Sequence, residues 1–419
     1  PQRPCHTFAV PMPRHTTRTH TLSHAFTHSA HACACKQTCA QTATLGRLLT
    51  GGVVLACAAT FMGALSGCSS QPPAHKAPTS IKLHTKAAPR LLPDVAPIAL
   101  QGSYASRPDV MAQVPDMARR LNLPENFVRN ALGNANFLPS VPRLIMPAKA
   151  GARSNWRVYR SRFIDATRIR AGVQFWRDNA QALQRAEREY GVPARYIVGI
   201  IGVETIYGRN TGNMRVLDTL ATLSFDFPQE HPRAEARTRF FRGELEAYLQ
   251  LCASNDDDPQ SIRGSYAGAI GLPQFMPSNI IKHAEDYDQD GHIDLFGSQV
   301  DAIGSVASYF KAHGWVNGLP PLHEVAFDQS RLQLPTLLAP DIVPSFTPQE
   351  FADLGAIASG LPAGSTDKLA LIELQNGNAP SSYYAGTQNF YVITRYNHSS
   401  YYAKAVIDLG EAVERAMRN

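Results

Sequence analysis

The stretch Arg195-Tyr-Ile-Val-Gly-Ile-Ile-Gly-Val-Glu204-Thr-Ile-Tyr-Gly208 is apolar almost all round a helical wheel, and a helix of that kind is buried. One carboxyl interrupts it. Glu204 has Ile200 and Ile201 one turn before it, and Tyr207 and Gly208 one turn after. Loss of hydration among such neighbours favours the neutral carboxyl and raises its pKa. A carboxylic acid that is still neutral near pH 7 is what protonation of a leaving-group oxygen requires. A structural Glu paired with a buried Arg explains the same residues, and spacing alone leaves both readings open. Gly199 and Gly202 weaken the helix and bare its backbone, so something packs or binds closely there.

Two segments downstream carry further chemistry. In Gly264-Ser-Tyr-Ala-Gly-Ala-Ile-Gly-Leu-Pro-Gln274-Phe-Met-Pro-Ser278, three glycines alternate with hydroxyl, amide and aromatic groups. That mixture suits a loop facing a sugar, which offers directional hydrogen bonds and an apolar face; a structural turn cluster has the same composition. Asp286-Tyr-Asp288-Gln-Asp290-Gly291-His292-Ile293-Asp294 matches the first half of a calcium loop. It has oxygens at positions 1, 3 and 5, Gly at 6, a backbone carbonyl at 7 (His292) and Asp at 9. Position 12 is Gly297 instead of the closing Glu, so Asp301 is the candidate to close a longer loop. A solvated Asp-rich turn is the alternative.

Working outward, the remainder frames this chemistry. Charged residues make up 18% of the 419, below the roughly 25% usual in soluble proteins, while the apolar 44% is ordinary. Of 40 Lys and Arg, 5 lie in the first 68 residues, which hold no Asp or Glu. The other 351 residues carry 35 basic and 34 acidic groups, so the formal +6 belongs almost wholly to the leader and a nucleic-acid role is disfavoured. Residues 69–106, rich in Pro, Ala, Ser and Lys, read as a flexible tether (68–106 with Cys68). Helical signals fill 107–190, including Pro108-Asp109 at a helix start and the amphipathic run Ala171–Tyr190. The core of the chemistry occupies 191–320, and 321–388 reads as a small β-containing subdomain. Residues 389–419 read as a strand, Asn389–Arg395, followed by a helix over about Tyr402–Met417. The class is α+β, mainly helical.

The one long apolar run, Leu48–Leu65, follows Arg47 and ends in Leu65-Ser66-Gly67-Cys68. A basic flank, an apolar stretch and small residues at the exit read as a signal peptide spanning 1–67. The ending resembles a bacterial lipoprotein signal, with Cys68 lipidated after cleavage and Ser69 pointing to the outer membrane. An uncleaved anchor or an ordinary buried helix is the alternative. Residues 1–46, without an initiator Met, are assigned no structure and suit a start placed too far upstream. Five of the seven cysteines fall in this leader, and lipidation would consume Cys68. Cys252 remains as a core residue, and no internal disulfide is expected.

Taken together, the segments resemble the membrane-bound lytic murein transglycosylase B family. The likeness is most specific from Ile197 to Trp315, through Ile-Ile-Gly-Val-Glu-Thr, Leu-Asp-Thr-Leu-Ala-Thr-Leu-Ser-Phe, Gly-Ser-Tyr-Ala-Gly-Ala and Gln-Phe-Met-Pro-Ser. Asn389-Phe-Tyr-Val-Ile-Thr-Arg-Tyr-Asn-His-Ser adds a second match, and in texture the likeness covers 107–419. It implies a lysozyme-like core with one helical flanking subdomain and one containing a small β element. It makes Glu204 the single acid/base that cleaves the β-1,4 bond between N-acetylmuramic acid and N-acetylglucosamine, closing a 1,6-anhydro ring without water. By the same likeness Ser265, Gln274, Phe275, Tyr309, Tyr396, Asn397 and Tyr402 would line the glycan groove. Asp286, Asp288, Asp290, the His292 carbonyl and Asp301 would hold Ca2+, with no organic cofactor. A lipid on Cys68 would place the enzyme on the periplasmic face of the outer membrane, with peptidoglycan strands as its partner.

Two departures from the family pattern stand out. The arginine pair that suits murein's peptide carboxylates is reduced to Arg237 in a lengthened Pro228–Arg239, and the calcium loop is one residue longer before Asp301. Two rival functions follow from the residues. A hydrolytic muramidase would need a second carboxylate to activate water, for which Asp218 and Asp226 are candidates. A non-catalytic, calcium-stabilised peptidoglycan-binding lipoprotein would not need the Glu204 carboxyl at all.

Overall fold

The acid-bearing run folds as the helix Ala194–Thr205, buried from Tyr196 through Val203. It crosses the C-terminal helix, Ser400–Met417, at backbone distance. A Cβ on Gly199 would lie 2.3 Å from the Val406 carbonyl oxygen, and one on Gly410 would lie 2.0 Å from that of Arg195. What Gly199 admits is therefore a second helix. The structure is a computed structural model that describes residues 83–84, 95–147 and 154–418. The leader, Cys68 and most of the expected tether lie outside these residues. Among the described residues no helix is long and apolar enough to cross a membrane.

Around the crossed pair stand Ala166–Asp178, Ala180–Tyr190, Val216–Phe225, the 22-residue Ala234–Asn255 and Gln299–Ala312. One continuous apolar core runs through them, from Tyr104 to Val413. Residues 322–386 add an antiparallel sheet in the order Ala356–Ala358, Leu322–Phe327, Ala379–Gly386, Ala370–Asn376. Side-chain alternation along its last strand serves two cores. Ala370, Ile372 and Leu374 enter the main core, while Leu369 and Leu371 pack with Leu337 and Phe351 in a smaller one.

Three local expectations are corrected. The β-branched run expected as a strand at Asn389–Arg395 is a helix, Gln388–Tyr396. Thr387 caps it by accepting from Asn389 N, and Asn389 is itself bonded to Val316 and Leu319. Phe390 and Ile393 then fall on one buried face at helical spacing, so tertiary context overrides the strand preference. The run Ala171–Tyr190 is two helices, broken at Asn179, whose amide bonds Phe175 O and Gln299 Oε1. The end of the expected tether is not free either. Asn130, Asn134 and Asn136 bond the backbone of Ala96, Ile98, Gln101 and Ser103, and Tyr104 is fully buried.

Candidate active site

Glu204 is the partly exposed break in the buried run, one residue from the end of its helix. Burial of the carboxyl pushes its pKa up to about 7, against a smaller opposing effect from Tyr402. The Tyr402 hydroxyl donates to Glu204 Oε1 at 2.5 Å, and the C-terminal helix carries it there because Ser399 caps that helix at Tyr402 N. The hydroxyls of Tyr159 and Tyr396 lie within the field of the same carboxyl, and each is held protonated mainly by its own burial. An acid in this setting keeps its proton near neutrality and has a donor ready for the carboxylate that forms.

The other expected groove residues divide into two sets. Tyr396 Oη and Asn397 Oδ1 are buried with no hydrogen-bond partner among the described residues, which suits groups that meet a polar ligand. Phe275, also expected in the groove, is 1% exposed. Its ring packs on Tyr309 and Tyr396 at 5.5 and 5.8 Å, and Tyr309 stacks in turn on His313 at 4.0 Å. Gln274 sits at φ +50° and spends its amide donors on Thr211 O and Gly271 O, which leaves its carbonyl oxygen for other partners. Ser265 Oγ accepts from Ala267 N and Ala269 N, so it shapes the loop while its own proton stays available.

In the acidic loop, carboxylate oxygens of Asp286, Asp288 and Asp290 come within 4.8 Å of one another. Like charges this close favour a cation among them, and an all-oxygen set suits Ca2+. Asp301, the expected closing residue, stands outside that trio. It is 1% exposed and its two oxygens accept from the backbone of Tyr287, Asp288 and Asp294, so it pins the loop from behind. His292 pairs with His84 in a short two-stranded ribbon.

Residues 106–411 match the family described as the transglycosylase SLT domain. The chain belongs to the transglycosylase SLT domain family. It is 39% identical over 365 residues to membrane-bound lytic murein transglycosylase B of Escherichia coli (strain K12), covering 84% of this chain and 95% of that one. Among solved structures, the Escherichia coli lytic transglycosylase SLT35 in complex with calcium is 39% identical with a TM-score of 0.65, covering 76% of this chain and 97% of that chain. Soluble lytic transglycosylase SltB1 from Pseudomonas aeruginosa is 40% identical with a TM-score of 0.67, covering 74% of this chain and all of that one. The α+β class, mainly helical with a lysozyme-like core, is common to these structures and this chain.

Within this SLT-domain chain, two features went unread in the sequence. Tyr159 lies on the six-residue helix Trp156–Ser161, far upstream of every motif, and reaches the site through packing on Trp156, Phe163 and Tyr401. The expected Arg237 has company. His398 is pushed down by burial and then by Arg395, Arg233 and Arg237, so four basic side chains share one field. Arg395 Nε is buried without a hydrogen-bond partner among the described residues, and Arg237 stacks on Phe240 and Phe241.

Proposed function

We propose that the chain is a peptidoglycan lytic transglycosylase with Glu204 as its only acid and base. The observation that carries this reading is the Glu204 carboxyl, held neutral to about pH 7 by burial and bonded to Tyr402. In the first step the Glu204 proton passes to the glycosidic oxygen and the bond to the muramic acid C1 breaks. The acetamido oxygen of the same sugar closes on C1 and carries the positive charge. Glu204, now a carboxylate, then takes the proton from the C6 hydroxyl. O6 attacks C1, the acetamido oxygen leaves, and a 1,6-anhydro end forms with Glu204 protonated again. The balance needs no water.

The candidate carboxylates for a hydrolytic rival are already committed elsewhere. Asp218 is held by Arg215 at 2.6 and 2.9 Å and accepts from Asn136 N, while Asp226 is bonded to Tyr104 and Arg107. Asp286, Asp288, Asp290 and the His292 carbonyl would hold Ca2+, which neutralises the loop's converging charge. Arg237, with Arg233, Arg395 and His398, would take the carboxylates of the stem peptide. A lipid on Cys68 would hold the enzyme on the periplasmic face of the outer membrane, in keeping with the "membrane-bound" name of its Escherichia coli relative.

The test is digestion of purified peptidoglycan with residues 69–419 and mass analysis of the fragments, beside Glu204→Gln. Products one water lighter than hydrolytic ones, absent with the variant, are expected. Reducing ends would make the enzyme a muramidase. Binding without cleavage by the unsubstituted protein would make it the calcium-stabilised lipoprotein.

A further inference from the structure

The turn that ends the acid-bearing helix is built against ordinary backbone preference. Ile206 and Tyr207 both lie in the left-handed region, at φ +53° and +56°, and Gly208 follows at +89°. A β-branched side chain such as Ile206 is a genuine outlier there, and such conformations persist only where the surroundings impose them. Here the surroundings do impose it. Ile206 N and Tyr207 N bond back to Gly202 O and Ile201 O. Thr205 Oγ1 donates to Leu272 O at 2.9 Å and accepts from Gly208 N, which latches the turn to the loop that carries Gln274.

The reversal folds Tyr207 beneath its own helix. The ring packs on Phe175 at 5.1 Å, and the hydroxyl is buried without a hydrogen-bond partner among the described residues. A Cβ on either Gly172 or Gly202 would lie 2.4 Å from that oxygen. Gly202 is two residues before Glu204, hence on the opposite side of the helix. The last turn of a helix is where fraying begins, and Glu204 sits in it. Misplacing a reacting group by about 1 Å can cost about a hundredfold in rate.

We propose that the strained Ile206–Tyr207 turn is a positioning device, in which Tyr207, seated between Gly172 and Gly202, clamps the last helical turn and thereby fixes the Glu204 carboxyl. The inference rests on Glu204 being the acid. Tyr207 touches no substrate in this scheme; it acts through the helix.

The experiment compares Tyr207→Leu, Tyr207→Phe and Gly202→Ala on soluble glycan strands, with melting temperature, kcat and KM for each. Tyr207→Leu removes the ring seated against Gly172 and Gly202, so kcat should fall about ten- to a hundredfold while KM stays within about twofold. Tyr207→Phe keeps the ring and loses only its hydroxyl, so its kcat should stay within about twofold of the unsubstituted protein. Gly202→Ala should lower kcat by displacing the ring, because the added Cβ would lie 2.4 Å from Tyr207 Oη, 2.7 Å from its Cζ and 2.8 Å from Leu409 Cδ2. A Tyr207→Leu enzyme with wild-type kcat overturns the proposal, as does a Tyr207→Phe enzyme as slow as Tyr207→Leu. If Tyr207→Leu fails to fold, Gly202→Ala decides by itself, and an unchanged kcat there overturns the proposal. Glu204→Gln run alongside separates the two levels: activity retained there defeats the functional reading, whereas its loss beside a normal Tyr207→Leu defeats the clamp alone.

Discussion

Glu204 must hold a proton where an ordinary glutamic acid has lost it, and the same burial that allows this works against folding. In the unfolded chain the group titrates near 4.5, and in the folded protein at about 7. Folding therefore loses stability as pH rises through that window, by about 3 kcal/mol once both states are ionised. Glu204→Gln should melt higher than the parent at pH 8 and close to it at pH 4, a difference that calorimetry at the two pH values would show. The rate should follow the protonated acid, with kcat/KM falling on the alkaline side around pH 7. Tyr402→Phe removes the hydroxyl that steadies the carboxylate, so the alkaline limb of its pH profile should move upward while kcat drops by about tenfold or more. The acid was legible because burial and charge conflict openly in Ile-Ile-Gly-Val-Glu. Tyr159 was not, since one tyrosine on a short helix has no pattern until the fold brings it to Glu204. Asp301 shows a related limit: spacing in a loop counts oxygens but does not show which of them the backbone also uses.

Elements show where sequence patterns compete with packing. The crossing of the acid-bearing and C-terminal helices is a case where propensity and packing predict opposite signs. In an isolated helix Gly410→Ala should stabilise by about 1 kcal/mol. Here the added methyl would sit 2.0 Å from the Arg195 carbonyl oxygen and must force the helices apart. We expect a net loss of about 1–3 kcal/mol in denaturant unfolding, with reduced activity because Tyr402 rides on the displaced helix. A stabilised Gly410→Ala would mean that the contact is loose. The run Asn389–Arg395 teaches the same lesson in reverse. Its β-branched residues favour a strand in isolation, yet the Thr387 cap and the buried Asn389 amide commit it to a helix. No local rule contains the Val316 and Leu319 groups that make the difference.

At the scale of the whole molecule, two peripheral segments test how much of the chain the fold needs. Among the described residues, the carboxylates of Asp286, Asp288 and Asp290 gather without a basic partner in their hydrogen bonds. Calcium at about a hundred times its Kd should add about 2.7 kcal/mol of stability, visible as a higher melting temperature that chelator reverses and that Asp286→Asn/Asp288→Asn abolishes. The second segment is 95–106, which composition alone assigns to a tether. Low apolar density and frequent proline do describe a linker, but they cannot register that three asparagines elsewhere are spaced to receive its backbone. One residue decides the matter energetically. Tyr104 is 1% exposed, stacks on Phe225 at 5.7 Å and donates to Asp226 at 2.6 Å, on the loop after the Val216–Phe225 helix. Its removal leaves a cavity, a loss of about 3–5 kcal/mol, and takes from Asp226 one of its two side-chain partners. A chain beginning at residue 107 should therefore unfold at markedly lower denaturant than one beginning at 95, and Tyr104→Ala in the longer chain should reproduce most of the difference. If both starts give the same midpoint, the segment is a tether after all, and the asparagine contacts hold it without supporting the core.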